Sequence, residues 1–225
     1  MVELSAVRLS AAPAIRTKRA WPGGSWTSST NTGRSLSGDH VSMAKRRIAA
    51  FGVDYLIIAA WIGLITAVGF GARAILGIET GPVVSQADKL RGHAFAFLSL
   101  TLPVVLYFAI AESSQWQATV GKRALGLRVQ TVAGARVGLG RSLARSGIKF
   151  LPWEIAHTAI WHVPGQPFVS MPAPINFLGY AVALAGAGVF AAAVFRGRGR
   201  TPYDLVAGTR VVEVRPDAPH LMAGT

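Results

Sequence analysis

The sequence predicts an all-α protein: a polytopic transmembrane helical bundle of four spans with a small cytoplasmic β or extended element. Three observations predict it. Charged residues make up only 15% of the 225-residue chain and apolar ones 51%, whereas a soluble domain carries about 25% charged residues. Long apolar runs recur, the first of them extending from Ile48 to Phe70 without a Lys, Arg or Glu. The 23 Lys and Arg that give the chain its net charge of +13 lie between and outside those runs. In a soluble chain such an excess would point first to nucleic acid. Its placement here points instead to membrane topology, and no nucleic-acid partner is expected. The absence of cysteine excludes disulfides and thiolate metal sites, and no metal or cofactor is expected.

Residues 1–42 are rich in Ser, Thr, Gly and Arg and show no apolar periodicity, which predicts a disordered basic tail. Leu9 to Ile15 is too short and too polar for a secretory signal, although the acid-poor composition also suits an organelle transit peptide. A plainer expectation is that translation starts at Met43, so that Lys45, Arg46 and Arg47 lead directly into the first span. That span, 48–70, would extend roughly 35 Å as a helix, enough for a hydrocarbon core of about 30 Å. It contains one ionisable acid, Asp54, whose insertion costs about 2.5–3.5 kcal/mol. Residues 71–93 read as a loop with room for a short helix and a turn at Gly81-Pro82. The second span is 94–111, with Pro103 expected to kink it.

From Glu112 to Lys149 the chain is polar and basic. Leu127 to Val132 reads as a short strand, and Ala133-Gly134 as a turn. From Arg141 the pattern is helical, and Arg141, Arg145 and Lys149 fall on one face at a spacing of four, as in a helix entering the membrane from the headgroup layer. The third span, 148–163, is the awkward one: its apolar part, Phe150–Val163, is 14 residues long and holds Pro152, Glu154, His157 and His162. Taken alone it suits a short span, a re-entrant piece or an interfacial helix. The fourth span is 175–195. Residues 196–214 return to basic character, with Arg210 to Val214 a strand candidate that would pair with Leu127–Val132, and 215–225 is expected to be a disordered tail.

Charge placement decides the topology. Eight Lys and Arg precede the first span, three lie in 71–93, seven in 112–149 and five in 196–225. The positive-inside rule then places the N-terminus, 112–149 and the C-terminus in the cytoplasm. An even number of crossings must separate the last two, so 148–163 must cross with 175–195. The expected location is the plasma or inner membrane, multi-pass, with both ends cytoplasmic. Small residues recur at spacing four in the first span (Ala59, Gly63, Ala67, Gly71) and the last (Gly179, Ala183, Ala187, Ala191), which predicts close packing of these helices on each other or on a second copy. A homo-oligomer or a membrane partner protein is therefore expected. The basic residues of 112–149 suit anionic lipid headgroups, at about 1 kcal/mol each.

Three pieces of sequence share an order and spacing with a known family. They are Arg47-x-x-Ala50-x-x-x-Asp54 at the start of the first span, Thr119-Val-Gly-Lys-Arg-Ala-Leu-Gly-Leu-Arg-Val129, and Pro202-Tyr-Asp-Leu-Val-Ala-Gly-Thr209-Arg-Val-Val212. Together they resemble the RDD family of small membrane proteins, over roughly residues 43–214. The family takes its name from an Arg and two Asp, and the resemblance makes Arg47, Asp54 and Asp204 that triad. Tyr203 departs from the pattern, since histidine often precedes the last Asp. The resemblance implies either transport or exchange of a small cation, or an accessory role beside a larger membrane system.

The residues leave the chemistry open between two readings. Asp54 and Arg47 are seven apart on one helix face. Asp54 either carries protons or cations inside the bundle, or forms a structural pair with Lys122, Arg123 or Arg128 of the basic block. Glu154 and His157, three apart and with His162 nearby, are secondary candidates for binding a metal or relaying protons, against a plainer interfacial role beside Trp153 and Trp161. Asp204 is expected to cap a short helix, pair with nearby arginines or return to the block near Lys122. No phosphate loop, dinucleotide fingerprint or supported nucleophile triad is present, and an enzyme is not expected.

Overall fold

A computed structural model of the chain describes residues 36–79, 81–196 and 200–214. Helix α1 spans Leu36–Leu76, α2 Gln86–Ala96 and α3 Leu102–Ser113, the latter two joined by a π-helical turn at Phe97–Thr101 into one continuous rod. The short helix α4 (Val120–Ala124) leads into strand β1 (Leu127–Thr131). Helix α5 (Leu139–Trp161), α6 (Pro174–Phe195), the short α7 (Pro202–Val206) and strand β2 (Thr209–Glu213) complete the order. Three helical stretches are long and apolar enough to cross a membrane: Met43–Leu76, Gln86–Ser113 and Pro174–Phe195. Large apolar side chains such as Leu64, Val68, Phe70 and Leu184 are more than half exposed along them, as lipid-facing positions must be.

Several boundaries differ from those expected. The first helix begins at Leu36, inside the stretch assigned to the N-terminal tail; residues 1–35 and 215–225 lie outside the described residues. The second rod starts eight residues before the expected Ala94, which shortens the predicted 71–93 loop. Its added first turns carry Lys89 and His93, and Lys89 is buried with its ammonium donating to the Val163 carbonyl at 2.7 Å. A buried cation with a fixed acceptor is a tertiary feature that apolar runs do not reveal.

Pro103 lies just after the π-helical turn. It has no N–H to offer the Ser99 carbonyl four residues back. The Trp61 indole N–H of α1 donates to that carbonyl at 2.9 Å, so the two rods are tied where proline frees an acceptor.

The awkward third segment is the second half of α5, whose 23 residues extend about 35 Å. The helix packs against both α3 and α6. Its expected basic face does not all lie in the headgroup layer: Arg141 is exposed, but Arg145 is only 1% exposed. Glu112 on α3 draws Arg145 and Lys149 inward.

The glycines of the two small-residue rows do not meet each other. A Cβ on Gly63 of α1 would meet nothing within 4 Å, whereas on α6 a Cβ at Gly179 would sit 2.9 Å from Ala159, and one at Gly186 3.2 Å from Pro152, both of α5. The close glycine approach of α6 is thus to α5.

The two strands pair antiparallel, from Leu127 opposite Glu213 to Thr131 opposite Thr209. Leu127 and Val129 are 1% and 0% exposed, so the ribbon packs one face inward. Arg46 of α1 reaches Glu213 at 2.9 Å and fastens β2 to the helix.

Candidate functional site

The three motif pieces converge. On α1, Arg47, Ala50 and Asp54 share one face, and α4 lies across it. A Cβ on Gly121 would fall 2.0 Å from the Ala50 carbonyl oxygen and 2.9 Å from the Asp54 carboxyl carbon, so only glycine permits this approach. Asp54 is fully buried. Its Oδ1 accepts from the Tyr107 hydroxyl at 2.9 Å and the Gly121 N–H at 2.8 Å. Its Oδ2 accepts from the Thr119 hydroxyl at 2.6 Å. The Tyr107 oxygen in turn accepts the Val120 N–H at 3.2 Å. Hydroxyl and amide donors of α3 and of the start of α4 therefore carry the cost of the buried carboxylate.

Asp204 is equally enclosed. Arg145 donates through Nε to its Oδ1 at 2.9 Å and Arg47 through Nη2 to its Oδ2 at 3.2 Å. The Thr209 hydroxyl reaches Oδ1, and the Thr201 hydroxyl and N–H reach Oδ2. The last contact makes Asp204 the reciprocal partner in a capping box that starts α7. Burial pushes the Asp204 carboxyl up, but Arg145, Arg47 and the Thr201 hydrogen bond outweigh it and hold it at about 2 against a usual 3.8.

Glu112, on the last turn of α3, joins the two halves. It is fully buried and takes Arg145 Nη1 on one oxygen, and Lys122 at 2.9 Å and Lys149 at 3.4 Å on the other. Arg145 thus bridges two carboxylates with its planar fork, a geometry lysine cannot reproduce. Aromatic faces supply further acceptance for the cations: Lys149 sits 4.0 Å from the Phe108 centroid, and Arg145 5.1 Å from Tyr203.

Of the residues singled out in the sequence, the structure brings Arg47, Asp204 and Lys122 into this knot, with Asp54 about two helical turns along α1 from Arg47, under α4. It pairs Lys122 with Glu112, while Arg123 lies over the Trp116 ring at 4.4 Å and Arg128 is exposed on β1. The structural pairing expected between Asp54 and Lys122, Arg123 or Arg128 is therefore replaced by hydroxyl and amide donors. Sequence reasoning missed Glu112 and gave Arg145 and Lys149 a surface role. One signal was available: Glu112 is the single acid in 112–149, among seven Lys and Arg.

Glu154 and His157 belong to a different place. Glu154 meets His93 Nε2 at 2.9 Å and accepts from the Thr101 hydroxyl at 2.8 Å. His157 Nδ1 is 3.9 Å from the same carboxylate and has no hydrogen-bond partner among the described residues. No group of three or more His, Cys, Asp or Glu suited to a metal ion occurs among the described residues.

A cavity of about 690 Å³ lies between α1, α5 and α6. Arg47, Lys122, Arg145 and Lys149 line one end of it, and most of the remaining lining is apolar.

These features define a class: a helical membrane protein whose charged residues are collected into a buried knot at one end of the bundle. The chain belongs to the RDD family, which it matches over residues 41–208. It is also similar to an uncharacterized protein, YxaI, of Bacillus subtilis (strain 168), at 28% identity over 104 residues, which are 44% of this chain and 69% of that protein. No solved structure matches it.

Proposed function

We propose that the chain is a four-span protein of the plasma or inner membrane that serves as a non-catalytic accessory or scaffolding subunit. The fourth crossing would be α5. It lies alongside α3 and α6, both parts of candidate spans, and a helix flanked along its length by two spans shares their depth. The positive-inside rule then assigns the knot, the β ribbon and the polypeptide ends to the cytoplasmic side.

The observation that carries this reading is the environment of Asp54. Both its oxygens are occupied, by the Tyr107 hydroxyl of α3 and by Thr119 and Gly121 at the start of α4, and it is fully buried. That arrangement fits a fastening between span and cap. The competing reading, exchange of a small cation centred on Arg47 and Asp54, meets an electrostatic objection, since four cations line the adjoining cavity and repel a like charge.

The test is ion flux in proteoliposomes carrying Na⁺ or K⁺ gradients and an internal pH dye. The expected result is proton movement no faster than in protein-free vesicles, together with reduced thermal stability of Asp54→Asn. Cation-driven proton movement in the native chain, abolished in a folded Asp54→Asn variant, would overturn it. The accessory role further predicts a homo-oligomer or partner protein captured by crosslinking in native membranes.

A further inference from the structure

We infer that the cavity between α1, α5 and α6 is a binding site for an anionic phospholipid of the leaflet that meets the Arg47 end, with the phosphate among the cations and an acyl chain along the helices. The inference begins with charge. Arg47, Lys122, Arg145 and Lys149 line one end of the cavity, and the single carboxylate of Glu112 is shared by Lys122, Arg145 and Lys149. Lys149 is the most loosely held of the three: its ammonium lies 3.4 Å from that carboxylate, its side chain is about one-tenth exposed, and it lines the cavity. Excess positive charge removed from bulk water is stabilised by an anion from outside the protein.

The second part is shape. On α1 the cavity wall runs from Arg47 through Phe51, Tyr55 and Ile58 to Ile62. The fifteen helical steps from Arg47 to Ile62 extend about 22 Å, most of a hydrocarbon core of about 30 Å. On α6 the facing wall includes Ala183, Ala187 and Ala191, whose short side chains leave room rather than fill it. The volume, about 690 Å³, falls among cavities that hold ligands of drug or cofactor size. A cationic mouth joined to a long apolar trough matches a molecule with an anionic head and a hydrocarbon tail. A small inorganic anion would leave the trough empty, and a neutral lipid would leave the cations unmatched.

The test uses the full chain purified in mild detergent and offered equimolar phosphatidylglycerol and phosphatidylcholine, with bound lipid read by native mass spectrometry. Phosphatidylglycerol is expected to be retained preferentially, and Lys149→Gln to lower that preference about fivefold, the factor one near-surface cation contributes. Ala187→Phe, which fills the trough and leaves every charge in place, is expected to lose bound lipid of both kinds. Arg141→Gln, outside the cavity on the exposed side of α5, is expected to change nothing. Equal retention of the two lipids by the native chain would overturn the site. So would a phosphatidylglycerol preference that survives both Lys149→Gln and Ala187→Phe, displacement of the lipid by inorganic phosphate alone, or a dimer mass without lipid, which would mark the cavity as the seat of a second copy.

Discussion

The α3–α5 pair carries two polar clusters, one near each end, and they are built on opposite plans. At one end Glu112 and Asp204 share Arg145, with Arg47, Lys122 and Lys149 around them. About 13 Å further along α5, Glu154 meets only His93, Thr101 and the more distant His157. The first cluster is cross-linked between segments far apart in sequence, and each buried charge depends on the others. The second joins a single acid to one imidazole and one hydroxyl beside a π-helical turn. The difference shows what several charges gathered from separate segments can do that a single one cannot. Where long basic side chains from α1, α4 and α5 converge, several ions can be buried together. A lone acid is instead met by neighbouring polar groups.

Substitutions test that contrast, beginning with the strongest. Arg145→Met should strand Glu112 and Asp204 together and cost about 3–5 kcal/mol, the penalty for breaking a buried ion network. Denaturant unfolding in detergent should show most of the protein unfolded, and a loss below about 1 kcal/mol would contradict the idea that the knot is cooperative. Gly121→Ala should follow, since its Cβ would fall 2.0 Å from the Ala50 carbonyl. Forcing α4 away from α1 should cost about 1–3 kcal/mol or more, with α1 becoming accessible to protease before the rest.

The pH dependence has a defined sign. Asp204 titrates at about 2 in the folded chain against a usual 3.8. A carboxyl with a depressed folded value contributes stability that is fully present above its unfolded value and is lost as pH falls through the folded one. Stability from Asp204 should therefore decline between about pH 4 and pH 2, by about 2 kcal/mol in total. Asp204→Asn should remove that part of the acid profile, as followed by unfolding between pH 2 and 5. Glu154→Gln should produce the smallest effect, about 1 kcal/mol, because glutamine can still accept from Thr101. A loss as large as that of Arg145→Met would erase the distinction between the two clusters.

Much of this was legible in the chain itself. The positions of the apolar runs follow from composition, and Pro174–Phe195 matches its expected bounds within a residue. The β ribbon was legible from Leu127–Val132 and Arg210–Val214, where alternation and an Ala-Gly turn leave few other options. The triad positions followed from the resemblance to the RDD family. Less legible was the role of α5, because Arg145, Lys149 and Glu154 lower its apolar character and disguise its length. Periodicity reads a cation as a surface residue unless its partner is known, and Glu112 lies 33 residues before Arg145.

What the sequence alone determined is the membrane class and the apolar helices, because hydropathy is a local property, while its resemblance to the RDD family marked Arg47, Asp54 and Asp204 as special positions. What only the tertiary structure decided is which charge meets which. Asp54 goes to Tyr107, Thr119 and Gly121, and Asp204 goes to Arg145 and Arg47. Those pairings depend on α4 lying against the face of α1 that carries Ala50, and Gly121 permits it. Long-range contact is a property of the packed chain, and no single segment encodes it.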